Sequence, residues 1–266
     1  MTGRKPWFAL SLLVLGYLFL YSPIVSLVVY SFNESRLVTV WSGFSTRWYG
    51  ALLQNHQLLG AAWLSVRVAL MTATLSVVIG TLSAFALVRF GSFRGRTLFA
   101  GMTMAPLVMP DVITGLSLLL LFVAMEGVLG WPAGRGMTTI VIAHATFATA
   151  YVTVVVQSRL SQLDLSLEEA ALDLGAPPWK VVAVITIPLI WPAMLAGWLL
   201  AFTLSFDDLV VASFTSGPGA TTLPMEVFSS VRLGISPQIN ALATVFIVAV
   251  TAMVVLANQL TFRRRG

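Results

Sequence analysis

Long apolar segments follow one another along most of this chain, separated by short polar stretches. Six of them can each supply the roughly 20 apolar residues that a helix needs to cross a bilayer. They are residues 7–30, 58–88, 98–124, 138–157, 181–204 and 241–260. The runs are continuous, whereas the strands of a membrane barrel alternate apolar and polar positions. The pattern therefore predicts an all-α membrane protein with six transmembrane helices.

The spans divide the chain into three regions. Residues 1–57 are predicted to form an N-terminal transmembrane helix and an outer loop, residues 58–260 a transmembrane domain, and residues 261–266 a short basic cytoplasmic tail. The first span follows Arg4 and Lys5, as in a signal peptide, but it is too long for the apolar region of one and shows no early cleavage site. We therefore expect it to remain as an anchor. Close approach between helices is expected at four glycines: Gly80, Gly101, Gly115 and Gly197.

Basic residues are distributed unevenly between the two sides of the predicted spans. Ten lie on the side that holds both termini: Arg4, Lys5, Arg89, Arg94, Arg96, Arg159, Lys180, Arg263, Arg264 and Arg265. The other side has four: Arg36, Arg47, Arg135 and Arg232. Because short cytoplasmic loops are rich in Lys and Arg, we expect both termini in the cytoplasm and the longer loops 31–57 and 205–239 outside.

The composition excludes several classes of function. The chain is 58% hydrophobic and only 9% charged, whereas globular proteins average about 25% charged residues. The formal charge of +5 comes from loop residues, so no nucleic-acid partner is expected. With no Cys, the chain has no disulfide, thiolate metal site or Cys nucleophile. It also has no phosphate-binding loop of the type G-x-x-x-x-G-K-[ST], no metal-ligand cluster and no Ser-His-Asp arrangement. We expect no catalytic residue, no metal and no cofactor.

A short amphipathic helix is predicted in the longest cytoplasmic loop. Ser166 and Glu169 have the spacing of a capping box. Apolar and small residues follow at helical spacing: Leu167, Ala170, Ala171 and Leu174. Gly175 can form a left-handed C-terminal cap, and Pro177 and Pro178 prevent continuation. The polar residues around this stripe are acidic: Asp164, Glu168, Glu169 and Asp173. Helices on lipid headgroups favour Lys and Arg, so a protein partner is favoured over the membrane surface.

The same segment resembles a known signature. Glu169-Ala170-Ala171, followed at fixed offsets by Gly175 and Ile185-Thr186-Ile187-Pro188, resembles the EAA motif of bacterial ATP-binding-cassette import permeases. The resemblance implies the type I importer permease fold, with a coupling helix at about 166–175 that docks into a cytoplasmic ATPase. It implies ATPase coupling for seven residues: Glu168, Glu169, Ala170, Ala171, Asp173, Gly175 and Pro188.

A finer resemblance covers nearly the whole chain. Residues 30–49, 105–122, 199–224 and 240–244 resemble the second permease of polyamine uptake systems, and the putrescine-type member more than the spermidine-preferring one. This implies a subunit of the bacterial inner (plasma) membrane that works with a second homologous permease, two ATP-binding-cassette ATPase subunits and an extracytoplasmic polyamine-binding protein. ATP hydrolysis would belong to the ATPase subunits. Spermidine or a related small cationic solute remains the alternative substrate.

Two other classes of function fit less well. An ion-coupled secondary transporter predicts internal inverted repeats, which the sequence does not show, and leaves the cytoplasmic helix unexplained. A membrane-embedded enzyme needs a cluster of polar catalytic residues facing one leaflet. The sequence therefore favours a transport subunit.

Three carboxylates are candidates for the substrate path. Asp111 follows two prolines in the third predicted span, and Asp207 and Asp208 end the fifth on its outer side. A carboxylate at a helix centre costs about 2.5–3.5 kcal/mol on insertion scales, so it is rarely kept on a lipid face. Acidic side chains along a path suit a small organic dication. The alternative, that each carboxylate only caps a helix, stays open. His144, in the fourth span, is expected to be packed and hydrogen-bonded rather than a proton relay.

Overall fold

The computed structural model describes residues 6–37, 40–233 and 237–263 and is built from helices. The α-helices within these ranges are α1 Pro6–Ser31, α2 Arg47–Gln54, α3 His56–Arg89, α4 Arg96–Met104, α5 Asp111–Leu129, α6 Met137–Ser161, α7 Ser166–Asp173, α8 Pro178–Val181, α9 Ile187–Phe206, α10 Val210–Thr215, α11 Leu223–Leu233 and α12 Pro237–Arg263. The tail residues 264–266, together with Arg4 and Lys5, lie outside the described residues.

Five helical segments among the described residues are long and apolar enough to cross a membrane. They are Trp7–Ser31, His56–Arg89, Asp111–Leu129, Met137–Ser161 and Pro178–Phe206. The sixth predicted span falls on α12, where a shorter apolar stretch covers Pro237–Ala252. The helical, multi-pass character predicted from the sequence is confirmed, and the sixth crossing stays a prediction.

The third predicted span is not one helix. The chain runs through α4, a 3-10 turn at Ala105–Leu107 and then α5. Prolines have no N–H to donate to the preceding turn, and Pro110 is extended with φ −60° and ψ 139°. The span predicted at 98–124, in which Pro106 and Pro110 were expected to break the helix, is therefore formed by two helices, and Asp111 is the first residue of the second.

The chain divides into two compact units. The described residues of the first lie within Met1–Leu59 and Val227–Gly266, where α12 packs against α1 and α2. Its loop is ordered around Asn33, which is buried. The Asn33 side chain donates to the Val40 carbonyl at 2.7 Å and accepts from the Ser42 N–H at 3.0 Å. The Trp48 indole donates to the Asn33 carbonyl at 2.7 Å. These bonds satisfy backbone N–H and C=O groups of the loop, which have no partner within a helix.

The second unit, Gly60–Glu226, has its core where α3 and α9 approach α6. A Cβ at Gly80 would lie 2.8 Å from the Val152 side chain, and one at Gly197 would lie 3.2 Å from it. Glycines at these points let the helix backbones come close, as predicted. The same holds for Gly115, but not for Gly101, where a Cβ would meet no described atom within 4 Å.

The segment predicted as the outer loop 205–239 contains helices α10 and α11. The first of these packs on α5 and α6 and buries Val211 and Ala212. A Cβ at Gly115 of α5 would lie 2.7 Å from the Phe214 ring, so the contact is close. This part of the segment therefore belongs to the core of the second unit and not to a solvent-exposed loop.

Candidate functional site

The N-terminus of α7 is fixed by Asp164. Its Oδ1 accepts a hydrogen bond from the Ser166 N–H at 3.0 Å, and the hydrogen bonds from the Ser166 backbone and hydroxyl lower the pKa of this exposed carboxyl. The helix itself begins at Ser166, and no side-chain cap bond is made at the preceding Leu165. The predicted capping box of Ser166 and Glu169 is therefore wrong. Glu169 is exposed and has no capping role.

The C-terminus of α7 has the predicted left-handed cap. Gly175 has φ +82° and donates to the Leu172 carbonyl at 2.9 Å, while the Ala176 N–H donates to the Ala171 carbonyl at 3.0 Å. These two bonds form the Schellman motif, which satisfies carbonyls at the end of the helix. A Cβ at Gly175 would meet nothing within 4 Å, so the glycine is needed for its backbone conformation and not for space.

Glu168 connects α7 to two other elements. Its Oε1 accepts a hydrogen bond from Arg89 Nη2, at the end of α3, at 3.1 Å. The same oxygen accepts from the Thr186 hydroxyl at 3.0 Å. The side chains of Arg89 and Glu168 are only 14% and 17% exposed, and Thr186 is fully buried. Glu168 therefore faces the protein interior.

Thr186 belongs to a widened turn in front of α9. Residues Val182–Thr186 form a π-helical turn, and the Ile187 N–H donates back to the Val182 carbonyl. Pro188 follows at the second position of α9 and cannot donate to the preceding turn, so a local change of helical pairing is expected there. Pro188 thus lies within the span, two residues after Thr186, which binds Glu168.

The remaining predicted coupling residues are accessible. Glu169, Ala170 and Asp173 are exposed, and Ala171 is half-buried. Five large apolar side chains of residues 165–179 are also exposed: Leu165, Leu167, Leu172, Leu174 and Trp179. The apolar stripe predicted along α7 therefore packs against no core within the described structure, and Leu174 is 90% exposed.

The three predicted path carboxylates line one cavity in the second unit. The volume of this cavity is about 310 Å³. Its walls are formed by Asp111, Phe147, Tyr151, Leu204, Asp207, Asp208, Leu209 and Val210. Phe147 and Tyr151 stand one turn apart near the middle of α6. The structure therefore brings together carboxylates that are nearly 100 positions apart in the sequence and adds two aromatic rings.

Two of these carboxylates are exposed. Asp111 is the first residue of α5, where the partial positive charge of the helix N-terminus favours an anion. Asp207 follows α9, and its N–H donates to the Thr203 carbonyl at 3.2 Å. Both side chains are accessible to a ligand in the cavity.

Asp208 is held by the protein. Its Oδ2 accepts from the Ala212 N–H at 2.7 Å and its Oδ1 from the Val211 N–H at 3.4 Å, so it caps α10. The side chain is 10% exposed. The capping role considered from the sequence is present at Asp208, and the same residue also lines the cavity.

His144 lies behind Asp208 and is completely buried. Its Nδ1 is 2.8 Å from Ser205 Oγ, so the predicted packed, hydrogen-bonded histidine is confirmed. Its Nε2 is 3.1 Å from Asp208 Oδ2, but the pair is not aligned for a hydrogen bond. The sequence did not indicate this contact. The spacing of His144, Phe147 and Tyr151, at positions i, i+3 and i+7, does indicate that these three side chains share one face of α6.

Metal binding has no support among the residues described, where no group of three or more His, Cys, Asp or Glu could hold an ion. The walls of the cavity provide carboxylates and aromatic faces, and this combination is suited to an organic cation.

Comparison with a family model gives a match over more than half of the chain. Residues 76–264 match the family described as "Binding-protein-dependent transport system inner membrane component". The matched region includes α7 and all three cavity carboxylates.

Two curated relatives cover most of the chain. It is 63% identical over 247 residues to the putrescine transport system permease protein PotI of Escherichia coli strain K12, covering 93% of this chain and 88% of that protein. It is 42% identical over 247 residues to the spermidine/putrescine transport system permease protein PotC of the same strain, covering 93% and 90%.

Solved structures share the fold at low sequence identity. A chain of a bacterial ABC transporter that imports the acidic polysaccharide alginate has a TM-score of 0.72 at 16% identity, covering 98% of both chains. The alginate transporter in complex with its alginate pentasaccharide-bound periplasmic protein gives 0.73 at 16% identity, covering 98% of this chain and 96% of that chain. This likeness confirms the predicted all-α importer permease fold.

Proposed function

Because this multi-pass chain belongs to the family of inner membrane components of binding-protein-dependent transport systems, we propose that it is the permease subunit of an ATP-driven polyamine importer. Its main substrate is putrescine. The observation that carries the proposal is the cavity, in which three carboxylates meet two aromatic rings. The 63% identity to a putrescine permease supports the choice of substrate.

The chemistry of the cavity suits a diamine. A four-carbon diamine carries two ammonium groups roughly 6 Å apart when extended, at about 1.5 Å per bond. Each ammonium loses favourable hydration when it leaves water, and carboxylates or aromatic faces replace that hydration. Asp111 and Asp207 provide exposed negative charges, and Phe147 and Tyr151 provide aromatic faces. The volume of about 310 Å³ leaves room for a small organic cation.

The chain forms half of the translocation path. A second homologous permease forms the other half, two ATP-binding-cassette ATPase subunits hydrolyse ATP, and an extracytoplasmic polyamine-binding protein delivers the substrate. The chain itself is a non-catalytic subunit. The family description, in which transport depends on a binding protein, supports this assembly.

The helix α7 is the coupling helix to the ATPase. Glu169, Ala170 and Asp173 are exposed and form the ATPase-facing side, together with the exposed Leu167 and Leu174. Three other predicted coupling residues hold the helix in place within the permease. Glu168 connects the helix to Arg89 and Thr186, Gly175 ends the helix, and Pro188 follows the turn that carries Thr186. In this arrangement both termini are cytoplasmic.

Transport in proteoliposomes tests the function. The complex of this chain with its second permease, ATPase and binding protein should accumulate radiolabelled putrescine when ATP is supplied, and not with a non-hydrolysable ATP analogue. Spermidine is the matched comparison, because the 42% identical relative is named for both polyamines. A clear preference for spermidine would change the substrate. ATP-dependent accumulation of neither polyamine would overturn the proposal.

A further inference from the structure

Side chains from three helical elements meet behind the carboxylate cavity. His144 comes from α6, Ser205 from the last turn of α9, and Asp208 lies two residues before the start of α10. Ser205 Oγ is 2.8 Å from His144 Nδ1, and His144 Nε2 is 3.1 Å from Asp208 Oδ2. His144 has no exposed surface and Ser205 is 3% exposed. The imidazole thus separates two polar groups within an otherwise apolar core.

The hydrogen bond with Ser205 is compatible with a tautomer in which Nε2 is a donor toward the cavity wall. In the tautomer in which the Ser205 hydroxyl donates to Nδ1, the ring proton lies on Nε2, on the side of Asp208. Among the described residues, Nε2 has no aligned hydrogen-bond acceptor. A buried donor without an acceptor is unfavourable, so the nearby Oδ2 is its available partner.

Asp208 differs from the other two cavity carboxylates in the number of its protein partners. Its Oδ2 already accepts from the Ala212 N–H at 2.7 Å. Asp111 and Asp207 are exposed at the ends of their helices. The two exposed carboxylates can therefore turn toward a ligand, whereas Asp208 is fixed.

We propose that His144 is a positioning residue of the substrate path, which holds Asp208 as a fixed negative charge on the cavity wall. The exposed pair, Asp111 and Asp207, then binds the two ammonium groups of the substrate directly. This division of roles rests on the proposed function of the chain as a permease for diamines. It assigns His144 an effect on substrate affinity that packing alone would not produce.

Two substitutions separate the two ends of the imidazole. His144→Gln places an amide N–H near the position of Nε2 and keeps a donor toward Asp208. His144→Asn places its amide near the position of Nδ1 and keeps a partner for Ser205. If His144 positions Asp208, His144→Asn should raise the apparent KM for putrescine by about fivefold or more, as expected when a donor facing a charged group is removed. His144→Gln should stay within about twofold of wild type.

A double-mutant cycle with Asp208→Asn completes the test in the assembled complex. Combined with Asp208→Asn, His144→Asn should add little to the increase in KM, because both changes remove the same contact. Thr146→Val is the matched control, since Thr146 is exposed on the same helix and, within the described part of the chain, bonds only to the Ile142 carbonyl. It should leave KM unchanged.

Thermal unfolding of the same complexes gives a second cycle that needs no substrate. Coupling between His144 and Asp208 in unfolding, together with absent putrescine transport by the wild type, would contradict the proposed function and leave the contact standing. Equal effects of the Asn and Gln variants on KM would overturn the positioning role. So would additive effects with Asp208→Asn, since these would show that His144 acts only through packing.

Discussion

The carboxylate of Glu168 lies 3.1 Å from the guanidinium of Arg89, and this ion pair joins α7 to the end of α3. The neighbouring Glu169 has the opposite environment, because it is exposed. Two adjacent glutamates of the segment that resembles the EAA motif therefore have different surroundings. One is bound within the permease and the other is available to a partner.

Arg89 and Glu168 should be coupled in transport. Glu168→Gln retains an acceptor for Thr186 but removes the charge opposite Arg89, which should lower ATP-dependent uptake and destabilise the complex by about 1–3 kcal/mol. Arg89→Glu should be more damaging, since it places two carboxylates together. The exchange of both residues, Arg89→Glu with Glu168→Arg, should recover part of the uptake. Uptake by the double variant no better than that of Arg89→Glu alone would contradict this coupling.

Glu169→Lys should weaken the ATPase interface without disturbing the fold, because the side chain is exposed. The measurement is co-purification of the ATPase with the two permeases, which should fall while the amount of permease in the membrane stays constant. Gln162→Lys places a lysine at the exposed residue that follows α6 and serves as a control for an added surface lysine. Equal retention of the ATPase by both variants would mean that Glu169 does not face it.

Gly175→Ala should destabilise the end of α7. The φ of +82° is unfavourable for a residue with a Cβ, by about 1–2 kcal/mol. Gly175→Asn should be milder, because Asn tolerates this conformation better. The control is Gly101→Ala within α4, where a Cβ meets no described atom and the helix should be unchanged or stabilised. The thermal midpoint and ATPase retention of the complex measure the effect. A midpoint for Gly175→Ala equal to that of wild type would argue against a rigid cap.

Topology gives an independent test. Reporter domains fused after Arg96 and Lys180 should lie in the cytoplasm, and those fused after Gln57 and Arg135 should lie outside, following the excess of Lys and Arg in the loops. Protease or activity assays on intact and permeabilised cells measure this. One reproducible reversal would show that a predicted span is wrong.

The sequence predicted the helical membrane fold because hydrophobic length and backbone satisfaction in lipid leave few alternatives. It located the three carboxylates, since charges between apolar runs are conspicuous. It did not predict the packing of α10 into the core, because the short stretch between Asp208 and Gly217 reads equally well as a loop. Nor did it pair Glu168 with Arg89, since contacts across 79 positions depend on tertiary packing.

The predicted capping box shows that a local sequence pattern does not always locate the start of a helix. Ser166 and Glu169 have the required spacing, but the carboxylate of Asp164 accepts the Ser166 N–H first. The helix therefore starts one residue earlier than a Ser166 cap allows. Competing acceptors within two residues make such starts hard to determine from the sequence.

The most direct test of the central claim is putrescine uptake by the assembled complex carrying Asp111→Asn or Asp207→Asn, measured at subsaturating substrate. Each change keeps the size of the side chain and removes its charge. Uptake should fall about tenfold or more, because an ammonium in the cavity loses its counter-charge, while complex yield and ATPase activity without substrate stay at wild-type levels. Wild-type uptake by both single variants and by the double variant would show that the carboxylate cavity is not on the substrate path.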